Sequence, residues 1–302
     1  MKPFRSPSLL MIALLTGCAT PHHQPMVSPQ QAAVGTLRIL SWNLEFLAER
    51  DGEGCHPRTD ADYAEMRGIA NGLHADVIAF EEAENEAAAA RVFDPSKYVI
   101  VMEQRPGKPG DLCGKEAPGQ TFIRQAVGFA IAKDLPFTRA PDLTALEIEN
   151  PNLRSGVDIT VRPVGGSPLR LLAVHLKSGC FSGTTGSACP QLLKQIPVVQ
   201  QWIDTAALGP TRFAVLGDWN RRLALPGDTF WTTIDTGNPP DANLRLADAG
   251  TKPKCDPRFD AFIDHVVLDE RAGQDLKGFQ ETTFAAGRHP SDHCPVSVDL
   301  SR

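Results

Sequence analysis

Apolar and polar positions along this 302-residue chain follow two periods, which predict strands interleaved with helices. A two-residue period over 36–43 and continuous apolar runs such as 213–216 are typical of strands. Apolar residues at helical spacing up to Leu73 predict a helix that Asp60 caps. The pattern predicts strands at 36–43, 76–80, 98–102, 126–132, 156–161, 169–174, 213–216, 262–268 and 296–300, and further helices at 84–92 and 191–206. This mixture, with no internal repeat or second linker, favours one α/β sandwich domain.

Two polar runs stand at the ends of predicted strands in the second half of the chain. Gly217-Asp218-Trp219-Asn220 follows the run at 213–216, and Ser291-Asp292-His293 precedes the run at 295–298. A rigid sheet can aim side chains at its strand ends into a cleft. Carboxylates hold a hard cation and orient a water, and an imidazole handles protons or developing negative charge. The runs therefore predict metal-assisted attack on phosphorus.

The N-terminus has the pattern of an export signal. Lys2 and Arg5 precede an apolar run at 9–15, which is too short to span a bilayer and is typical of a secretory signal peptide. Leu15-Thr16-Gly17-Cys18 resembles a bacterial lipobox, which predicts cleavage before Cys18 and a lipid on its thiol. An ordinary signal peptide with a coincidental cysteine is the alternative. We expect a signal peptide at 1–17, a flexible tether at 18–35 and one domain at 36–302. The protein is then lipid-anchored in the bacterial outer membrane or periplasm.

Six cysteines remain after Cys18, and an even number in an exported chain predicts disulfides. Fifteen pairings are open. Sequence context favours Cys180 with Cys189 around a Gly/Ser/Thr loop, Cys55 with Cys113 between two loops, and Cys255 with Cys294 beside two late motifs. A metal site is the competing interpretation, but the chain lacks CxxC and CxxH spacing.

The net charge is −6, and it becomes −8 without Lys2 and Arg5, because 36 acidic residues then face 28 basic ones. An acidic protein normally repels a polyanionic substrate. Cations nevertheless concentrate in loops beside the suspected site, at Arg105, Arg124, Arg221, Arg222 and Arg258. These arginines either attract phosphate or are the ordinary charges of solvated loops.

Six motifs in order cover essentially the whole predicted domain: Ser41-Trp42-Asn43, Asp76–Glu82, His175–Ser178, Gly217–Asn220, Ile263–Val266 and Ser291–His293. This series resembles the endonuclease/exonuclease/phosphatase superfamily. That family includes deoxyribonuclease I, exonuclease III-type repair nucleases, neutral sphingomyelinases and inositol polyphosphate 5-phosphatases. The resemblance implies a four-layer α/β sandwich with two packed mixed β-sheets flanked by helices.

The resemblance also implies a metal site. Glu82 matches the metal-binding glutamate of the family, although the adjacent Glu81 leaves an ambiguity of one position. Asn43 matches an asparagine that supports metal or phosphate, and Asp292 matches the C-terminal acidic ligand. The implied cofactor is Mg²⁺, with Mn²⁺ or Ca²⁺ as alternatives, because carboxylate and water oxygens suit these hard cations.

The catalytic roles follow in the same way. Asp218 matches the residue that orients or deprotonates the attacking water, and Asn220 matches an amide that contacts phosphate and nucleophile. His293 matches the catalytic histidine, with Asp264 as the carboxylate that fixes its tautomer. His175 matches a second histidine that contacts phosphate or protonates a leaving group.

Two departures from the deoxyribonuclease I branch concern the substrate. The strand that carries a Glu and a Tyr in that branch reads Ile123-Arg124-Gln125-Ala126-Val127 here and has neither residue. Arg124 on this strand either contacts phosphate or caps the strand. Glu84 stands where that branch has a DNA-binding arginine. This difference disfavours minor-groove binding of duplex DNA.

The sequence predicts a monomeric, exported, lipid-anchored, Mg²⁺-dependent phosphodiesterase, a non-specific nuclease that hydrolyses DNA or RNA. Its contact with the membrane is through the N-terminal lipid only. A sphingomyelinase-like phospholipid hydrolase or an inositol-phosphate hydrolase is the alternative enzyme. A catalytically inactive domain that binds phosphate-rich ligands is the non-enzymatic alternative.

Overall fold

The computed structural model describes Met1 and residues 35–107, 110–115, 117–285 and 287–302. Residues 2–34, which hold Cys18 and most of the predicted signal peptide and tether, lie outside the described residues. No helix in the described part of the chain is long and apolar enough to cross a membrane.

Twelve strands in the described residues form two six-stranded sheets. The strands are β1 (Thr36–Leu47), β2 (Val77–Ala83), β3 (Tyr98–Met102), β4 (Ala126–Ala132), β5 (Phe137–Arg139), β6 (Val157–Val161), β7 (Leu169–His175), β8 (Arg212–Asp218), β9 (Arg245–Leu246), β10 (Asp264–Leu268), β11 (Leu276–Glu281) and β12 (Val296–Ser301). The first sheet has the order β11-β12-β1-β2-β4-β3, and the second has the order β5-β6-β7-β8-β10-β9.

Within the described ranges, five helices pack against the two sheets. They are α1 (Asp60–Leu73), α2 (Glu86–Val92), α3 (Cys189–Ala207), α4 (Thr229–Ile234) and α5 (Glu270–Asp275), with short 3₁₀ turns at Thr144–Glu147 and Pro240–Ala242. One apolar cluster lies between the sheets, a second lies under α1 and α2, and a third lies under α3 and α4. Alternate residues of β1 serve two of these clusters, since Ile39 faces the other sheet while Leu40 faces the helices. The predicted four-layer α/β sandwich is confirmed.

Strand pairing brings the predicted site residues to one end of the sandwich. Parallel pairing of β7 with β8 sets His175 beside Asp218, and antiparallel pairing of β8 with β10 sets Asp264 beside Asp218. Gly217 makes this close approach possible, because a Cβ at that position would lie 1.9 Å from the carbonyl oxygen of Val174. Its φ of 143° is also one that side chains rarely adopt.

Several boundaries differ from the sequence prediction. The N-cap of α1 is Thr59 rather than Asp60, and the Asp62 carboxylate accepts hydrogen bonds from the backbone N–H and the hydroxyl of Thr59. Helix α2 begins at Glu86 because the Asn85 side chain caps it. The elements absent from the prediction are β5, β9, β11, α4 and α5.

The six cysteines lie in the three pairs that the sequence favoured. The sulfur atoms are 2.05 Å apart in Cys55–Cys113, 1.94 Å apart in Cys180–Cys189 and 2.05 Å apart in Cys255–Cys294. Two of these bonds hold loops beside the polar end of the sandwich, since Cys180 follows β7 closely and Cys294 follows His293.

Candidate active site

Carboxylate, amide and imidazole side chains from both sheets meet at one end of the sandwich. The predicted residues that line a cleft of about 460 Å³ there are Glu82, His175, Asp218, Asn220, Asp264, Asp292 and His293. Asn43 lies behind them in β1, and its amide nitrogen is 3.1 Å from Asp218 Oδ2. Strand ends of both sheets therefore supply one site, as the polar runs predicted.

His293 and Asp264 form an ion pair inside the cleft. His293 Nδ1 lies 2.8 Å from Asp264 Oδ2, and the backbone carbonyl of His293 accepts a hydrogen bond from the Trp42 indole at 3.0 Å. Burial alone would lower the pKa of His293, but the charge and hydrogen bond of Asp264 outweigh burial and hold this pKa well above its usual range. His293 is therefore an imidazolium at neutral pH, with Nε2–H left for the cleft.

Asp218 is a buried carboxyl group whose pKa lies close to neutral pH. Its Oδ1 accepts the backbone N–H of Asn220 at 2.8 Å, and its Oδ2 lies 3.5 Å from His175 Nε2. Burial and the negative charge of Asp264 raise the pKa of Asp218 to about 7, against the opposing effect of the His293 cation. A carboxylate with this pKa can take up a proton at neutral pH.

His175 is a neutral imidazole. Burial, followed by the positive charge of Arg154, lowers its pKa well below the usual range. Its Nε2 lies 3.7 Å from Glu82 Oε1, and its buried Nδ1 has no hydrogen-bond partner among the described residues. His175 and His293 therefore differ in charge, so they are suited to different tasks.

The tandem glutamates face different surroundings. Glu81 is fully buried, Ser41 donates a hydrogen bond to it at 3.3 Å, and burial raises its pKa well above the usual range. Glu82 lines the cleft, and the backbone N–H of Phe46 donates to its Oε2 at 3.0 Å. Glu82 has a left-handed φ of 62°, a conformation that costs about 1–3 kcal/mol in a non-glycine residue. This backbone conformation turns Glu82, rather than Glu81, toward the cleft.

The carboxylates of the cleft fit a divalent cation. Burial raises the pKa of Asp292 to about 6, and the Glu82 charge contributes in the same direction. A hard cation would offset this concentration of negative charge. Ligand atoms of Asp218, Asp264 and His293 lie within 4.8 Å of one another, but an imidazolium paired with Asp264 has no lone pair to offer. Glu82 and Asp292 are therefore the better ligands.

Asn43 and Arg124, the remaining predicted site residues, differ in their relation to the cleft. Asn43 Oδ1 accepts the backbone N–H of Glu45 at 3.0 Å, so its amide nitrogen faces the carboxylates and positions them by donating hydrogen bonds. Arg124 does not line the cleft, because its guanidinium turns away and donates to the carbonyl of Glu103 at 2.8 Å. Arg124 is therefore not assigned to the substrate.

Sequence reasoning missed several residues of the cleft. Arg154 is a buried cation there, and it donates to the carbonyl of Leu176 at 2.8 Å while its Nε has no hydrogen-bond partner among the described residues. Glu45 also lines the cleft and accepts the backbone N–H of Asp292 at 2.9 Å. Neither residue lies in a motif, and only tertiary packing brings them to the site. The aromatic residues of the cleft that the motifs did not include are Phe46, Phe181, Phe259 and Phe262.

Solved structures with the same fold cover most of the chain. A truncated TDP2 from Caenorhabditis elegans matches with a TM-score of 0.60 at 16% identity, over 88% of this chain and 98% of that chain. An endonuclease/exonuclease/phosphatase family protein from Bacteroides thetaiotaomicron matches with a TM-score of 0.55 at 15% identity, over 88% and 98%. The chain has the fold of the endonuclease/exonuclease/phosphatase superfamily. The superfamily fold is also present in the 3′ phosphatase NExo from Neisseria bound to a product DNA hairpin, with a TM-score of 0.55 at 14% identity over 87% and 99%.

At the level of sequence, no protein-family model matches the chain. No curated protein matches it either. Identity to the superfamily structures is 14–16%, so they establish the fold and not the activity.

Proposed function

We propose that this protein is a divalent-cation-dependent phosphodiesterase that acts on nucleic acid. The observation that carries the proposal is the position of Asp218, a carboxylate with a pKa of about 7 beside the imidazolium of His293. A phosphodiester resists hydrolysis because its own negative charge repels a nucleophile, so catalysis needs a base together with stabilisation of the developing charge. The cleft supplies both.

Each residue has a role that its contacts support. Asp218 takes the proton of the attacking water. Asn220 orients that water and the phosphate, and its side-chain amide is held in place because it donates a hydrogen bond to the Leu176 carbonyl at 3.1 Å. His293 donates Nε2–H to the oxygens on which negative charge builds, and Asp264 keeps this imidazole charged. Neutral His175 offers an N–H to phosphate or to the leaving oxygen.

Glu82 and Asp292 would hold the cation, with Asn43 positioning Glu82. A bound Mg²⁺, Mn²⁺ or Ca²⁺ supplies positive charge to a non-bridging phosphate oxygen. Arg154 adds a fixed positive charge on the His175 side of the cleft. Together these groups favour a substrate with a negatively charged phosphoryl centre over an uncharged ester.

Nucleic acid is the preferred substrate class because NExo, which has this fold, was solved with a DNA product. The test compares plasmid DNA, RNA, sphingomyelin, an inositol phosphate and a phosphomonoester, each with and without Mg²⁺. We expect Mg²⁺-dependent cleavage of nucleic acid. Faster turnover of sphingomyelin or of the inositol phosphate would favour the alternative hydrolases, and absence of turnover on every substrate would favour a binding domain.

Variants test the assigned centre. Asp218→Asn and His293→Ala should each lower turnover by roughly 100- to 10,000-fold, as expected for loss of a proton-transfer group. His74→Ala is the matched control, because His74 is exposed at the C-terminal end of α1 and does not line the cleft. Circular dichroism would show that each variant is folded. Near-normal activity of His293→Ala on every phosphodiester would refute the assignment.

We also propose that the protein is exported and that Cys18 is its lipidated N-terminus. Support comes from the sequence, where the apolar run at 9–15 leads into Leu15-Thr16-Gly17-Cys18. Mass spectrometry of the membrane fraction should find a lipid on Cys18. An unmodified N-terminus further along the chain would contradict the anchor without affecting the catalytic assignment.

A further inference from the structure

Two exposed aromatic rings stand at the rim of the cleft. Phe181 is 39% exposed and Phe259 is 48% exposed, and both line the same cleft as Asp218. Exposed phenylalanine rings carry no hydrogen-bonding group, so water stabilises them poorly and they are suited to cover an apolar surface of a ligand. Their position implies contact with the part of the substrate that extends beyond the phosphate.

Both rings are carried by loops that are fixed covalently. Phe181 follows Cys180, which is bonded to Cys189. The loop that contains Phe259 is bonded at Cys255 to Cys294, the residue after His293. At its other end, Phe262 packs edge-to-face on Phe279 of β11, with ring centroids 5.4 Å apart. The loop that carries Phe259 is therefore anchored at both ends, at one of them to the residue after His293, so its backbone has less conformational freedom to lose on binding.

Two arginine guanidinium groups lie over the Phe259 ring at cation–π distance. The Arg222 guanidinium lies 5.9 Å from the ring centroid and the Arg258 guanidinium lies 5.7 Å from it. Arg258 is paired with Asp256, whose carboxylate oxygens are both 2.9 Å from Arg258 Nε. Arg222 has no ion pair among the described residues, and its backbone N–H donates to the Phe181 carbonyl at 3.0 Å. Arg222 thus contacts both loops and leaves its charge available at the Phe259 ring.

We propose that Phe259, with Phe181 and Arg222, forms a stacking site for an unpaired nucleobase next to the phosphate that is cleaved. The inference rests on the proposed function. A nucleotide matches this rim because its base presents a flat π-face. Its phosphate, joined to the base through the sugar, presents a negative charge for Arg222. An acyl chain would cover the rings but would leave the Arg222 charge desolvated without a partner. The cleft volume of about 460 Å³ lies in the range of small-ligand sites, which suits one nucleotide.

The face of a base is accessible only when the base is unstacked and unpaired. A stacking site therefore selects single-stranded nucleic acid, or the frayed end of a duplex, over continuous duplex. Recognition by stacking is tolerant of base identity, because every base has a π-face. The predicted substrate class is single-stranded DNA or RNA of any sequence.

The first test compares two phosphodiesters with the same leaving group. Thymidine 5′-(p-nitrophenyl) phosphate carries a base, and methyl p-nitrophenyl phosphate does not. Phe259→Ala should lower kcat/KM for the thymidine ester, relative to the methyl ester, by roughly 5- to 150-fold, the effect of losing one base–aromatic stack. Phe259→Trp should restore the ratio because tryptophan also stacks. Leu208→Ala is the control, since Leu208 is 78% exposed and lies outside the cleft.

The second test measures binding and does not depend on turnover. Fluorescence anisotropy of labelled octathymidylate in EDTA should show Kd raised by a similar factor in Phe259→Ala and lowered affinity in Arg222→Gln, with Phe259→Trp close to wild type. Equal loss on both esters, or unchanged octathymidylate binding, would overturn the stacking site while leaving phosphodiesterase activity intact. Turnover of neither ester would instead count against the proposed function. Selective loss of binding to sphingomyelin vesicles in Phe259→Ala would overturn the nucleobase assignment in favour of a lipid.

Discussion

Removal of the Asp264 charge should move the whole pH profile of the proposed activity toward acid. The Asp264 carboxylate raises the pKa of Asp218, because two neighbouring negative charges repel, and it raises the pKa of His293, because it stabilises the cation. In the proposed mechanism activity requires ionised Asp218 and protonated His293. Activity therefore falls below the pKa of Asp218 and above that of His293. Asp264→Asn lowers both pKa values, so both limbs of the bell move to lower pH.

The structure sets the size of this shift. Side-chain ligand atoms of Asp218, Asp264 and His293 lie within 4.8 Å of one another. Two unit charges at that distance interact by about 1 kcal/mol in a water-like medium and by about 3.5 kcal/mol at an effective dielectric constant of 20. Since 1.36 kcal/mol corresponds to one pKa unit, each limb should move by roughly 0.5–2.5 pH units.

The measurement is kcat/KM against pH at saturating Mg²⁺ for wild type and Asp264→Asn. Both proteins then have the same metal occupancy, and the difference between their profiles reports the removed charge. Asp256→Asn is the matched control, because Asp256 lines the same cleft but its carboxylate is paired with Arg258. An acid limb that moves to higher pH in Asp264→Asn, or an alkaline limb that stays fixed, would refute the charge coupling.

Two further predictions concern the metal and the disulfides. Glu82→Ala should raise the Mg²⁺ concentration for half-maximal activity and regain turnover at high Mg²⁺, because it removes a proposed ligand and leaves the proposed base Asp218. A metal titration that shows an unchanged midpoint would contradict this role. Replacing both cysteines of one disulfide by serine should lower the free energy of unfolding, and more so for the longer loop. The expected loss is about 4 kcal/mol for Cys55–Cys113, which closes a loop of 58 residues, and about 2.5 kcal/mol for Cys180–Cys189, which closes a loop of 9 residues. Urea denaturation would measure both losses, and a larger loss for the shorter loop would contradict the chain-entropy argument.

Most of the strands that sequence patterns predicted are largely buried on both faces, and the edge strand β3, which is half-buried, is the exception. Strand β4 and the interior of β8 are apolar, and the continuous runs that predict them leave little choice of period. Strand β11 was missed because it is an edge strand whose residues are half-buried or exposed, including Lys277 and Gln280. Helices α4 and α5 have six residues each, too few to show a helical period.

The site was predictable where strand geometry alone determines position. His175, Asp218 and Asp264 stand at the same end of paired strands, so their meeting follows once the pairing is known. Strand geometry alone does not determine whether Glu81 or Glu82 faces the cleft. That orientation depends on the left-handed φ of Glu82, which interrupts the two-residue alternation of the strand. The motifs also omit Arg154, which packs into the cleft from a loop before β6.

The part of the molecule that decides the substrate is the part that motifs describe least. In the proposed function strand ends fix the chemistry at phosphorus, because such a reaction demands particular groups at particular distances. The rim is built from loops, and loops can vary without disturbing the sheets that hold the catalytic groups. Here the Cys255–Cys294 bond ties one such loop directly to the residue after His293. The cross-link thus joins the loop whose Phe259 would select a nucleobase to His293, which would stabilise charge on phosphate. His293 lies in one of the six motifs, whereas Phe259 lies in none of them.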